Sequence, residues 1–268
     1  MRLDSGASTV PSEATSRSPY DQGFFDMLEP GAARSARVVV PIVMEAIKPR
    51  SVLDVGCGTG VWLHEFLRCG ATSVLGVDGE YVDQSKLAIP RDFFRAKNLD
   101  DGIIEFGRFD LVTCLEVAEH LPESSSSALV QSLVHSSEFV LFSAAIPGQR
   151  GQNHINEQWP EFWQALFSRH GYEPVNLILP RIRDNRAVDW WYRQNLLLFA
   201  SQRALDLHPE WDSLRLPGGL SPIEWMHFSV ARSEETFRSV WKKFRRVVER
   251  CLANHWPRLF KFILALKG

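Results

Sequence analysis

Residues 51–62, Ser-Val-Leu-Asp-Val-Gly-Cys-Gly-Thr-Gly-Val-Trp, constrain this chain more than any other stretch. Branched apolar residues Val52, Leu53 and Val55 surround Asp54, glycines alternate at 56, 58 and 60, and residues 61–67 continue with helical spacing. The pattern reads as strand, tight turn and helix. Glycines remove Cβ atoms where the backbone must turn and let a ligand lie against the main chain. The helix behind them offers unsatisfied N–H groups to that ligand. A pyrophosphate turn has the spacing G-x-G-x-x-G. Here it is G-C-G-T-G with Asp54 before it, and a carboxylate suits a cationic ligand better than an anionic one.

At this point the chain resembles the class I S-adenosylmethionine (SAM) methyltransferases, whose first motif has the form V-L-D-x-G-C-G-x-G, and within them the type 11 and type 23 groups. The resemblance covers residues 20–201 and implies a Rossmann-like α/β fold: a seven-stranded, mostly parallel sheet with helices on both faces and the last strand antiparallel. It assigns Asp54, Gly56, Cys57, Gly58 and Gly60 to the methionine end of SAM. Asp78 ends a second strand over residues 73–77, about 20 residues beyond the glycine turn, where a βαβ unit returns an acid to the ribose hydroxyls. Relatives carry Asp-Leu after the third strand, residues 93–96, to meet the adenine. Asn98 and Leu99 stand there instead, so either the Asn98 carbonyl or Asp100 accepts from the adenine amino group.

The fourth strand, residues 109–115, runs into Glu116-Val-Ala-Glu119-His120, with Leu115 and Glu116 bordering the cofactor. On a helix Glu116, Glu119 and His120 fall at i, i+3 and i+4 and share a face. Two carboxylates and an imidazole fit Mg²⁺, Mn²⁺, Fe²⁺ or Zn²⁺. The pattern is similar to that used for metal by ubiquinone-biosynthesis O-methyltransferases and by small-RNA terminal 2′-O-methyltransferases. In the latter a further His follows the fifth strand, as His154 follows residues 139–144 here. E-x-x-E-H-L-P also occurs in relatives without metal, where His120 and His154 would act on the acceptor as proton acceptors.

Residues 153–163 and 189–196 resemble a subgroup of bacterial methyltransferases found with polysaccharide and glycan biosynthesis, which implies a sugar hydroxyl as acceptor. Trp159, Trp163, Trp190, Trp191 and Tyr192 could stack on a ring, and Arg181, Arg183, Arg186 and Arg193 could read a phosphate.

The remaining chain sets boundaries. Residues 1–19, rich in Ser, Thr and Pro, read as a disordered tail. Residues 20–28 are aromatic and pack over the sheet edge, or close over the cofactor. Residues 35–47 carry a helical apolar stripe with Pro41 as a start or kink. Ser124 to Ser127 can cap the next helix, residues 160–170 form another, and strands at 175–179 and 196–199 complete the sheet. A helical extension occupies 202–268. Its residues 234–252 set an apolar face against Lys242, Lys243, Arg245, Arg246 and Arg250, either docked on the protein or lying on an anionic membrane. Residues 259–266 are apolar enough to favour self-association or a lipid-carrier surface.

Four cysteines form no C-x-x-C pair and fit a reducing cytoplasm, with the inner membrane face as a peripheral location. A net charge of −2 disfavours nucleic acid as partner. The expected activity is SAM-dependent O-methylation of a sugar, glycan or other small hydroxylated acceptor. Metal-dependent RNA 2′-O-methylation and a non-catalytic SAM-binding scaffold are the alternatives.

Overall fold

Strands and helices alternate along the chain, as the sequence pattern predicts. A computed structural model describes residues 22–216, with side chains from residue 29. The readings of residues 1–19, of the 20–28 side chains, and of the basic and apolar segments at 234–252 and 259–266 lie outside the described residues.

The sheet is built from β1 (Ser51–Val55), β2 (Ser73–Asp78), β3 (Phe94–Ala96), β4 (Leu111–Leu115), β5 (Phe139–Ser143), β6 (Tyr172–Val175) and β7 (Leu197–Ser201), in the order β3-β2-β1-β4-β5-β7-β6. Strands β1 to β5 pair in parallel, whereas β7 runs antiparallel to both β5 and β6. Every residue of β4 and β7 is buried, as a sheet covered on both faces requires. The strand order reverses beside β1, and in such open sheets the crevice at the strand carboxyl ends receives ligands. Asp54, Asp78 and Glu116 all stand at that edge.

Helix α1 (Gln22–Ala46) buries Ala36, Val39, Val40 and Val43 and packs on α2 (Val61–Arg68). It begins well before the expected residue 35 and runs through Pro41. That proline and Arg37, whose carbonyl loses its partner, are both exposed, so water can satisfy the broken turn. Helices α3 (Ser126–Ser136) and α4 (Pro160–Ser168) cover the sheet near β5, where Phe167 stacks on Phe199 at 3.9 Å.

Two local expectations fail. The sixth strand lies at Tyr172–Val175, and the expected span 175–179 instead leads into the short helix α5 (Leu179–Ile182), whose Pro180 cannot donate to a ladder. No serine side chain caps α3. The Ser125 hydroxyl donates to Asp100 and the Ser126 hydroxyl accepts from Asn156, so tertiary contacts outcompete the cap. Helices α6 (Trp190–Asn195) and α7 (Gln202–Leu207) complete the layers. Among the described residues no helix is long and apolar enough to cross a membrane.

Candidate active site

A cavity of about 570 Å³ opens at the carboxyl edge of the sheet. One arm lies over the glycine turn. Gly56 takes φ +79° and its N–H donates to the Val77 carbonyl, stitching the end of β1 to β2. A Cβ there would lie 2.2 Å from Val117 Cγ2, so this position tolerates only glycine without movement. Gly58 turns at φ +54°, and its N–H donates to Asp78 Oδ2 at 2.7 Å. Gly60 is off the cavity wall. It takes φ +82° as the residue before α2 and starts that helix.

Asp54 is buried and accepts from the Thr113 hydroxyl at 2.6 Å, its neighbour across the β1–β4 register. Burial pushes its carboxyl up to about 7, the Thr113 bond opposes this, and the Asp78 charge adds to it. Asp78, also buried, is likewise raised by burial. Two desolvated carboxylates beside a glycine-rich turn suit a ligand with a positive charge and a hydroxyl pair, which is the chemistry of SAM.

The Asp54 shift carries a pH consequence. The folded chain holds this proton more tightly than the unfolded one, so the stability it contributes is present below about pH 4 and is lost as pH rises through about 7. Asp54→Asn removes the dependence. The expected result is a cofactor-free variant near the parent in stability at pH 4 and more stable by on the order of 2–4 kcal/mol above pH 7, read by thermal melts across pH.

The second arm follows β4 and β5. Glu116 takes φ +56°, its N–H donates to the Ser143 carbonyl, and a 3₁₀ turn at Ala118–His120 comes next. The expected single helix under Glu116, Glu119 and His120 is therefore absent, although the Glu116 carboxylate still lies beside that of Glu119. The Glu116 carboxylate accepts from Gln149 Nε2 at 2.9 Å and Asn195 Nδ2 at 3.2 Å. Glu119, His120 and His154 do converge, each with one ligand atom within 4.8 Å of the others. The His120 and His154 rings meet edge to face at 4.9 Å.

Glu119 is fully buried, and neither carboxylate oxygen is met by a donor at full hydrogen-bonding geometry, with the Glu119 and Ala145 N–H groups and the Glu116 carboxylate nearby. Burial and then the Glu116 charge push its carboxyl well above the usual range, and the nearby backbone N–H groups of Glu119 and Ala145 offset this only in part. Burial and the neighbouring His154 lower His120 to about 4, which keeps its ring neutral and able to coordinate. The loop bearing His154 is organised by Glu157, whose carboxylate accepts from the Gly148 and Arg150 N–H groups and lies 3.3 Å from His154 Nδ1. The Glu119 carbonyl accepts from the Ile155 and Asn156 N–H groups, tying that loop to the 3₁₀ turn.

Of the expected cofactor residues, Asp54, Gly56, Cys57, Gly58, Asp78, Asn98, Leu99, Leu115 and Glu116 line the cavity. Asn98 Oδ1 already accepts from the Asp100 N–H, leaving it one lone pair for an adenine. Trp190, Trp191 and Tyr192 are on the wall, with Trp190 half exposed, whereas Trp163 is core beside Phe142. The four arginines at 181, 183, 186 and 193 are not on it, and Arg181 pairs with Glu45. Thr113, Gln149, Asn195, Glu157 and Tyr81 escaped the sequence reading. Only Thr113 left a signal there, as a polar residue in the middle of an apolar strand.

Sheet order and site together define a methyltransferase of class I. A family model described as a methyltransferase domain matches residues 32–172, and the chain belongs to this SAM-dependent family. Its relatives include the ubiquinone biosynthesis O-methyltransferase of Acinetobacter baumannii (strain ACICU), 35% identical over 108 residues, covering 35% of this chain and 43% of that one. The tRNA U34 carboxymethyltransferase of Pseudomonas fluorescens (strain SBW25) is 26% identical over 201 residues, covering 66% and 61%. The match thus spans less than half of the ubiquinone relative. A solved structure from Nostoc punctiforme PCC 73102, provisionally named an O-methyltransferase, shares the fold at a TM-score of 0.50 and 15% identity, covering 66% of this chain and 59% of that chain.

Proposed function

We propose that this chain transfers the methyl group of SAM to an oxygen of a small hydroxylated acceptor, a sugar or glycan hydroxyl foremost, with a divalent ion held by Glu119, His120 and His154. One observation carries the reading. These three groups converge within 4.8 Å in the same cavity as Asp54, Asp78 and the glycine turn. When bound, SAM supplies an electrophilic methyl carbon on a positive sulfur.

The chain's own residues account for the rest. Asp54 balances the positive end, Asp78 takes the ribose, and the Gly56 and Gly58 turn admits the methionine portion against the main chain. A buried carboxylate without a well-placed donor is costly unless a cation meets it, and one carboxylate with two imidazoles suits Mn²⁺, Fe²⁺ or Zn²⁺. Such an ion would lower the pKa of a coordinated acceptor hydroxyl. Glu116 is no part of this ligand set; it joins Gln149 and Asn195 instead. Trp190, half exposed on the wall, offers a flat face to a sugar ring. Much of the rate enhancement would come from holding oxygen and methyl in line.

A metal-free reading rests on the His154–Glu157 contact, in which a carboxylate orients an imidazole as a general base. The two part in one experiment: purified chain, radiolabelled SAM and fractionated bacterial extract, with and without prior chelation. The expected product is a labelled, alkali-stable ether. Its formation falls about 100-fold or more in His120→Ala and on chelation, and returns with Mn²⁺. Full activity after chelation would favour the histidine base. No labelled product in any fraction would favour a non-catalytic SAM-binding protein, and label appearing only in RNA would move the acceptor to nucleic acid.

A further inference from the structure

Asp78 is the residue on which the proposed cofactor reading places the ribose, and its carboxylate has three protein donors of its own. Asp78 is 5% exposed, so little water reaches it. Its Oδ1 accepts from the Gly79 N–H at 2.7 Å and from the Tyr81 hydroxyl at 2.6 Å, and its Oδ2 accepts from the Gly58 N–H at 2.7 Å. A carboxylate offers about four lone-pair positions. Three are filled, and a ribose hydroxyl pair needs two.

One protein donor must therefore leave. The Gly58 and Gly79 N–H groups are main chain, fixed by the glycine turn and the end of β2. Tyr81 is a side chain with 43% of its surface exposed on the cavity wall. Its ring lies across Gly79, where an added Cβ would come within 2.1 Å of Tyr81 Cε1, so the absence of a side chain at 79 is what lets the ring reach over the carboxylate. Resting on the SAM reading above, we infer that Tyr81 is a further residue of the cofactor site: its hydroxyl occupies the ribose position on Asp78 in the free protein, and the ribose displaces it on binding. Tyr81 thereby keeps a buried charge satisfied between turnovers and sets cofactor affinity through the cost of its own displacement. The displacement cost falls on ligands with two ribose hydroxyls, since a single hydroxyl could use the remaining lone pair without moving the Tyr81 hydroxyl.

The test is calorimetric titration of S-adenosylhomocysteine into the full chain, with stopped-flow association alongside. Tyr81→Phe keeps the ring and removes only the competing donor. The expected result is affinity tightened by about three- to tenfold, the loss of one competing bond to a charged group, with the gain absent when Tyr81→Phe is added to Asp78→Asn. Unchanged or weaker binding by Tyr81→Phe overturns the inference, because the hydroxyl would then be a spectator or a direct ligand. Asp78→Ala binding S-adenosylhomocysteine as tightly as the parent is a different failure and removes the underlying cofactor reading. Thermal melts of each variant check that the fold persists, and Tyr81→Leu serves as a second variant lacking the hydroxyl should Tyr81→Phe not yield folded protein.

Discussion

Gly56→Ala is expected to destabilise the fold by about 2–5 kcal/mol and to abolish S-adenosylhomocysteine binding at concentrations that saturate the parent. Two costs add. A residue with a Cβ pays about 1–2 kcal/mol to hold φ at +79°. The new methyl would also stand 2.2 Å and 2.8 Å from the two Val117 methyl carbons, an overpacking worth roughly 1–3 kcal/mol. Relief by rotating Val117 is limited, since that residue is itself buried between the glycine turn and the 3₁₀ turn carrying Glu119. Relief by shifting the backbone breaks the Gly56 N–H bond to Val77 and moves the turn against which the ligand would lie. Chemical denaturation and calorimetry measure the two losses separately. A variant with parental stability and binding would mean that the turn is not the rigid element described here.

Glu119→Gln separates stability from function in opposite directions. The parent buries a carboxylate that no donor meets at full hydrogen-bonding geometry. Without a cation it must stay protonated or bear an uncompensated charge, so the folded pKa lies above the unfolded one and this part of the stability declines as pH rises. The amide keeps the shape and removes the charge. In metal-free protein at pH 8 the variant is expected to be more stable by about 1–3 kcal/mol, seen as a rise in melting temperature of roughly 3–8 °C. Mn²⁺ affinity is expected to fall by about 100-fold or more, because a neutral amide replaces the only carboxylate of the set. A variant that loses both stability and metal binding would show that Glu119 serves packing instead.

The strand–turn–helix at residues 51–67 was legible because each of its determinants is local: branched residues for the strand, glycines for positive φ, and helical spacing behind them. Asp78 was legible for the same reason, since the length of a βαβ unit fixes where its second strand ends. The acceptor side was harder. His120 and His154 meet as their positions after β4 and β5 suggested. The way they are held depends on Glu157 and on main-chain bonds from Ile155 and Asn156 to Glu119, which no local pattern encodes. The helix expected under Glu116 is absent because the bond from its N–H to the Ser143 carbonyl holds that residue left-handed at the end of β4. Asn195 reaches Glu116 across 79 positions, a partnership set only by the antiparallel return of β7 and the helix before it. Pro180 was the overlooked local clue in the displaced sixth strand.

The most direct test of the central claim is a calorimetric titration of S-adenosylhomocysteine into the full-length parent and Asp78→Ala. The parent is expected to bind at one site per chain and the variant to lose at least about 100-fold in affinity, as follows when charge-assisted hydrogen bonds to a hydroxyl pair are removed. Equal binding by the two proteins, or none by a folded parent, would contradict the claim.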